Sequence, residues 1–267
     1  MAAPSLSSVL DQLRAAHRAP FAELPQPALL RQAKISLLHA DLLVPSGSNA
    51  SRRADLASAR EVLELAALLA VRMRDAAAFE RYLAQLSAFW DLEVTPPSSH
   101  HGALVGLHLL LLLSRNEVGR FHTVLETMAA TGSALMDDKL VLYPIELERH
   151  LMEGSYSKVW AARCNPPLAE YAIFLEQLMT TIRNEIASCG EKAYTSLPVA
   201  DAATLLFFDQ MQDLLAFAAQ RPGWQVNPTA HVVTFGNNAK LPIDEPLQRE
   251  RIIESSLTFA SALESIV

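Results

Sequence analysis

This chain is poor in the residues on which most recognisable chemistries rest. It has two cysteines, Cys164 and Cys189, among 267 residues. That is too few for a disulfide framework, and they fit no metal-ligand spacing, so they read as reduced thiols of a cytosolic or nuclear protein. The nine glycines are scattered and form neither GxGxxG nor a P-loop, which excludes a visible phosphate cradle. Neither a GxSxG elbow nor an HExxH pair occurs. Bases are outnumbered, with 22 Lys and Arg against 29 Asp and Glu and a formal charge of −7. That balance argues against a protein whose main work is neutralising nucleic-acid phosphate. Long apolar runs are missing too: the strongest, Gly102 to Leu113, falls short of the roughly 20 residues that span a bilayer. No Lys or Arg precedes Arg14, and Asp11 interrupts the first apolar stretch, so no secretory signal is expected.

Nor do the polar residues gather into a catalytic constellation. His100 and His101, with His108, are the densest histidines, but adjacent helical residues point about 100° apart and make no i, i+4 chelate. Glu61 with Glu64, and Glu146 with Glu148, read as solvated helix faces rather than acid/base couples. No catalytic residue, metal or cofactor is expected, and the chain reads as a non-enzyme.

What the chain does have is apolar residues, 51% of the total, against 19% charged. Most recur at helical period. Phe79, Tyr82, Leu83, Leu86, Phe89 and Trp90 share one face, with Asp75 placed to cap that helix. Leu6, Val9, Leu10 and Leu13 form a shorter stripe. Val118, Phe121, Leu125 and Met128 form another, with Asn116 expected as its cap. Further helices are expected at 27–43, 55–73 and 99–114. Pro45 to Asn49 and Thr95 to Ser99 read as connections. Helix starts near 76 and 117, some 40 residues apart, suggest stacked antiparallel pairs without a repeat consensus.

The pattern changes after about residue 195. A long helix over 168–190 precedes a short one opened by Ser196-Leu197-Pro198, and Asp209 is placed to cap a second, Gln210 to Gln220. Trp224 to Val226 and His231 to Phe235 then read as a β-hairpin. Helix, helix, hairpin is the order of a winged helix. Its second short helix carries Asp213 and no base, and between 196 and 240 the only bases are Arg221 and Lys240, so DNA or RNA binding is not expected. After a linker, Leu241 to Pro246, a last helix carries apolar residues on more than one face and up to its end. Such a helix is marginal alone and must pack, either on its own winged helix or in a bundle with partner helices. The expected fold is mainly α. It comprises an irregular TPR-like helical-repeat array (1–154), a winged helix (155–240), and a linker with a carboxy-terminal helix (241–267).

Particular blocks resemble the PCI-domain family, in its 26S proteasome lid branch of the non-ATPase regulatory subunit 12 type. They are Arg60 to Leu69 with Phe79 to Leu86, Gly106 to Ser114 with Phe121-His122-Thr123, and Leu151 to Tyr156 with Lys158-Val159. Ile182-Arg183, Glu185 to Ala187, Glu191 to Tyr194, and the ending Leu263-Glu264 with Ile266-Val267 agree as well. The likeness spans about 58–226 plus the tail, and it is weak over Leu92 to His101 and Asn227 to Pro246. It implies a helical array joined to a winged helix, with wings pairing edge to edge and carboxy-terminal helices gathering in a bundle. It further implies a non-catalytic scaffold of the cytoplasm and nucleus, supporting ubiquitin-dependent proteolysis in a hetero-oligomer. The implied partners are other PCI lid subunits, the metalloprotease deubiquitinase pair and the regulatory-particle base, with no nucleic acid or membrane. The alternative is a PCI subunit of the COP9 signalosome or of a translation initiation factor complex. The candidate partner-binding residues are Trp224, Val226, Val232 and Phe235 on the wing. On the last helix they are Ile252, Ile253, Leu257, Phe259, Leu263, Ile266 and Val267.

Overall fold

A computed structural model describes residues 6–19, 27–43, 53–90, 98–130, 134–208, 210–221, 223–227, 231–235 and 249–264. The expected turn at Pro45 to Asn49, the cap Asp209, Lys240, the linker Leu241 to Pro246, and Ile266 and Val267 lie outside the described residues. The chain divides into two compact units, 1–182 and 183–267. Their division falls inside a long helix, well after the boundary expected at 154.

The first unit is a helical array. Its helices are α1 (Leu6–Arg18), α2 (Pro27–His39), α3 (Arg53–Arg72), α4 (Ala76–Trp90), α5 (His101–Ser114), α6 (Val118–Ala130), α7 (Lys139–Met152) and α8 (Tyr156–Ala162). The first half of α9 (Tyr171–Ala193) completes it. Neighbours in sequence pack together: α1 on α2, α3 on α4, α5 on α6, and α7 on α8. The predicted faces point inward, with Phe79, Tyr82, Leu83, Leu86 and Phe89 buried, and likewise Val9, Leu10 and Leu13. α5 is apolar all round, and every residue from Gly102 to Ser114 except His108 is buried, as an interior helix requires.

Three helix pairs are closed by the same turn. Between α3 and α4, α5 and α6, and α7 and α8 the connection is three residues long: Met73-Arg74-Asp75, Arg115-Asn116-Glu117 and Glu153-Gly154-Ser155. In each, the middle residue has positive φ: 57° at Arg74, 60° at Asn116, 69° at Gly154. Its N–H and that of the following residue return to carbonyls of the finished helix, as in Asn116 N–H to Leu113 and Glu117 N–H to Leu112, both 2.9 Å. This is the Schellman arrangement, which satisfies the orphan carbonyls of a helix end. Asn116, expected to cap α6, therefore ends α5 instead, because its short polar side chain tolerates the left-handed region. Asp75 caps α4 as expected, accepting from Ala78 N–H at 2.9 Å.

Two polar features are buried in this unit. Arg72 is bonded to Glu170 Oε1 at 2.8 and 3.1 Å, with both side chains nearly out of water. Glu64, expected on a solvated face, is buried: it pairs with Arg60 at 3.4 Å and accepts from the Ser98 hydroxyl at 2.5 Å. The helical period placed both Glu61 and Glu64 correctly on α3, but only a tertiary partner could bring one of them inside. Glu61 stays outside and binds Arg14 at 2.7 Å. Next to this network, the His101 ring stacks on Trp90 with centroids 4.0 Å apart.

The second unit is built on the rest of α9 with β1 (Ser196–Pro198), α10 (Val199–Leu205), α11 (Met211–Ala219), β2 (Trp224–Asn227), β3 (Val232–Phe235) and α12 (Arg249–Glu264). The winged-helix order is present, with one correction. Ser196-Leu197-Pro198 does not open a helix but forms a short strand paired with β3. Pro198, at φ −57° and ψ 142°, disfavours helical backbone before it, so α10 begins one residue later. A core of Ala187, Val199, Ala202, Leu206, Leu214, Val233 and Phe235 holds helices and sheet together.

Two predictions follow from the array. α5 approaches α7 and Tyr171 so closely that a Cβ on Gly106 would fall on the Tyr171 hydroxyl and within 2.6 Å of the Leu140 carbonyl oxygen. Gly106→Ala is expected to lower stability by about 2–3 kcal/mol in urea denaturation. Burial, assisted by the Arg60 guanidinium, pushes His101 down to about 4 from its ordinary 6.5, and burial also lowers His17 and His108. The unfolded chain then binds more protons between these values, so stability should be full above pH 6.5 and decline as pH falls towards 4. His101→Gln should flatten that slope in melts across this window.

Candidate assembly surfaces

The sheet order is β1-β3-β2, both pairings antiparallel, so β3 is interior and β1 and β2 are the edges. Antiparallel backbone groups alternate in the side to which they bond. Phe235 N–H donates to Thr195 and Val199 N–H to His231 C=O, at 3.2 and 2.9 Å, so residues 231, 233 and 235 face β1. Val232 and Thr234 therefore face β2, opposite Asn227 and Gln225. That leaves the N–H and C=O of Val226 directed outward, with no strand beyond β2 among the described residues. β1 is the poorer edge, three residues long and lacking an N–H at Pro198.

The wing side chains of the candidate set are spent mainly on the protein's own core. Phe235 is buried, and Trp224 and Val226 pack against the core cluster. Val232 is half-buried on the interior strand. Trp224 is pinned by its indole N–H, which donates to Glu191 Oε1 at 2.6 Å, and lies edge-on to Phe235 at 5.0 Å. What β2 leaves available is backbone.

The two arginines of this unit near the short helices are also engaged internally. Arg221 binds Glu191 at 2.7 Å and donates to the Asn184 carbonyl at 2.9 Å. Arg183 donates to the carbonyls of Leu206 and Phe207 at 3.1 and 3.0 Å, where α10 ends and a cation is favoured. α11, the helix that reads DNA in nucleic-acid-binding winged helices, exposes Met211 and Leu215 one turn apart and no base.

α12 presents an exposed apolar surface. Every residue from Ile253 to Glu264 is exposed, and Ile253, Leu257, Phe259 and Leu263 are each half to two-thirds accessible. Ile252 lies in the helix, with its side chain outside the description. At 100° per residue, Ile252, Ile253, Leu257, Phe259, Ala260 and Leu263 span nearly half of the helix circumference, with Ser256 and Glu264 also in that arc, while Glu254, Thr258 and Ala262 lie opposite. An arc that wide exceeds the stripe needed to lie on a single surface.

The two exposed cysteines stand alone, and among the described residues no His, Cys, Asp and Glu group could hold a metal ion. No described helix is long and apolar enough to cross a membrane. The sequence offers either Trp224 to Val226 or His231 to Phe235 as the free edge and does not choose between them, because strand order depends on a third strand, β1, that carries almost no local β signal.

Comparison with known proteins supplies what geometry alone does not. Residues 99–243 match the CSN8/PSMD8/EIF3K family. The chain is 35% identical over 243 residues to the 26S proteasome non-ATPase regulatory subunit 8 homolog A of Arabidopsis thaliana, covering 90% of this chain and 89% of that one. It is 33% identical over 252 residues to the 26S proteasome regulatory subunit RPN12 of Saccharomyces cerevisiae, covering 90% and 91%. The RPN12 subunit of Schizosaccharomyces pombe is 35% identical over 199 residues, covering 74% and 70%. The subunit number in these names is 8 in the plant and 12 in the yeasts.

Because α12 contributes exposed surface, its removal should hardly affect the isolated chain. Deleting 252–267 is expected to move the thermal midpoint by no more than about 2 °C, the range for surface changes in a chain of this size. Differential scanning calorimetry checks this, and a large drop would place α12 against its own unit.

Proposed function

This chain belongs to the CSN8/PSMD8/EIF3K family, and we propose that it is a non-catalytic scaffold subunit of the 26S proteasome lid, supporting ubiquitin-dependent degradation. The observation that carries this reading is similarity over nine-tenths of the chain to proteins named as proteasome regulatory subunits. The COP9 signalosome and initiation-factor alternative is not favoured, since these near full-length relatives are proteasome subunits. The partners we propose are the other PCI subunits of the lid, the metalloprotease deubiquitinase pair and the regulatory-particle base, in cytoplasm and nucleus.

Assembly would use two surfaces. A strand from a neighbouring subunit pairs with the outward N–H and C=O of Val226 on β2, adding to the sheet by backbone bonds. α12 enters a helix bundle, where each buried Leu, Ile or Phe contributes roughly 1.5–3 kcal/mol. The width of its apolar arc suits a groove between two helices rather than one flat contact. Of the candidate residues, Ile253, Leu257, Phe259 and Leu263 act through side chains, whereas Trp224 and Phe235 hold the strand edge in place from behind.

Affinity purification of the tagged chain with mass spectrometry tests the reading: lid subunits at stoichiometric yield are expected, and signalosome or initiation-factor subunits in their place would refute it. Two variants separate the surfaces. Val226→Pro removes the outward donor and some packing on the core, so its melting point should fall modestly while strand pairing is lost. Phe259→Asp with Leu263→Asp should abolish incorporation while leaving the melting point of the isolated chain nearly unchanged. Equal damage to both properties would mean that α12 packs within its own chain.

A further inference from the structure

The outer face of α2 takes no part in the core of the array or in the two assembly surfaces. The helix packs on α1 and α3 and buries Leu30, Ala33, Ser36 and Leu37. Its opposite face carries Arg31, Gln32, Ile35, Leu38 and His39, all exposed. At 100° per residue these five lie within about 60° of Ile35 on either side. Ile35 and Leu38, 47% and 60% exposed, are neighbours one turn apart. No other described helix of the first unit exposes two large apolar side chains at that spacing. The outer helix of a stacked array is expected to be polar on its free side, because that side meets water. α2 breaks the rule, and the β-branched Ile35 does not serve helix propensity either.

The charge on this helix is of one sign. The chain as a whole carries 29 acids against 22 bases, yet α2 has Arg31, Lys34 and His39 and no Asp or Glu. Arg31 stands one turn before Ile35, and Lys34 one turn before Leu38. The Lys34 ammonium lies 4.6 Å from the centre of the Tyr82 ring on α4, which holds it beside the aliphatic pair. The acids on the elements around α2 are engaged elsewhere. Asp11 and Glu61 both meet Arg14, at 3.6 and 2.7 Å, and Glu80 on α4 binds Arg115. Asp75 caps α4, while Asp41, just beyond the end of α2, and Asp55 on α3 have contacts of their own. Among the described residues no carboxylate pairs with Arg31 or Lys34.

We propose that the outer face of α2 receives an amphipathic helix of a neighbouring protein subunit, apolar along one stripe and acidic along its edge, which adds a layer to the array. The apolar side chains of that helix pack on Ile35 and Leu38, and its carboxylates face Arg31 and Lys34. A basic rim beside an apolar centre selects an acidic helix over a basic one, because like charges opposed across an interface are destabilising. The inference rests on the reading of this chain as an assembly subunit, and it adds a third surface, in the first unit, to the β2 edge and α12.

The test is a photo-crosslinker, p-benzoylphenylalanine at position 38 of the full chain, activated in the purified complex and read by peptide mass spectrometry. The expected adduct is a peptide of another subunit with two or more Asp or Glu beside apolar residues three or four apart. Capture of this chain's own residues, capture of a segment without acids, or no adduct from the intact complex overturns the proposal. Arg31→Glu in the same background tests the charge. The adduct yield should fall about three- to fivefold while the melting point of the full chain alone is unchanged. Changing an acid of the captured helix to Arg should restore the yield. An unchanged yield, or a loss that this second change does not restore, overturns the proposal. Should Arg31→Glu melt lower than the wild type, Gln32→Glu on the same face is read in its place, and an unchanged yield there overturns it. Recovery of the proteasome without an adduct leaves the lid reading standing and removes the α2 surface. Capture of an acidic helix in a different complex does the reverse.

Discussion

Backbone amides and carbonyls must find partners wherever a helix or strand stops, and the architecture follows from where the chain supplies them itself and where it does not. In the array it supplies them locally. Three helix pairs end on the same two returning N–H bonds around a residue of positive φ, and these short closures hold consecutive helices antiparallel. Only one of the three uses glycine; Arg74 and Asn116 accept the left-handed region because the turn and the packed helices around it over-determine the geometry. In the sheet the supply stops short, with β3 satisfied on both sides and β2 on one.

That asymmetry joins the fold to the function. A winged helix used on nucleic acid needs bases on its outer face, and here Arg221 and Arg183 are turned inward to a carboxylate and to carbonyls. The outer features are instead a bare strand edge and a helix whose apolar side chains have no cover among the described residues. Each is costly for a chain that stays alone, and each would suit a partner surface of its own kind, a strand or a helix bundle.

Much of the fold was legible in the residues because it depends on local patterning. Helical period located the buried faces of α1 and α4, Asp75 announced its own cap, and the hairpin of β2 and β3 followed from β-branched and aromatic residues around a turn. The failures were of one kind. Asn116 is as good at ending a helix as at starting one, Ser196 to Pro198 is strand only because Val232 to Thr234 lie beside it, and Glu64 is buried only because Arg60 and Ser98 meet it.

The candidate site divides in the same way. The proposed class, protein assembly, was suggested by an apolar tail, and the family by blocks of residues. Composition and period act along the chain, so they determined an α-rich array, a wing without a basic face, and a last helix with a broad apolar side. Only the tertiary structure decided that β3 is interior and β2 the open edge, and that Trp224 and Phe235 serve the core. Those facts depend on which distant segments become neighbours, and no local pattern encodes the register of a three-residue strand.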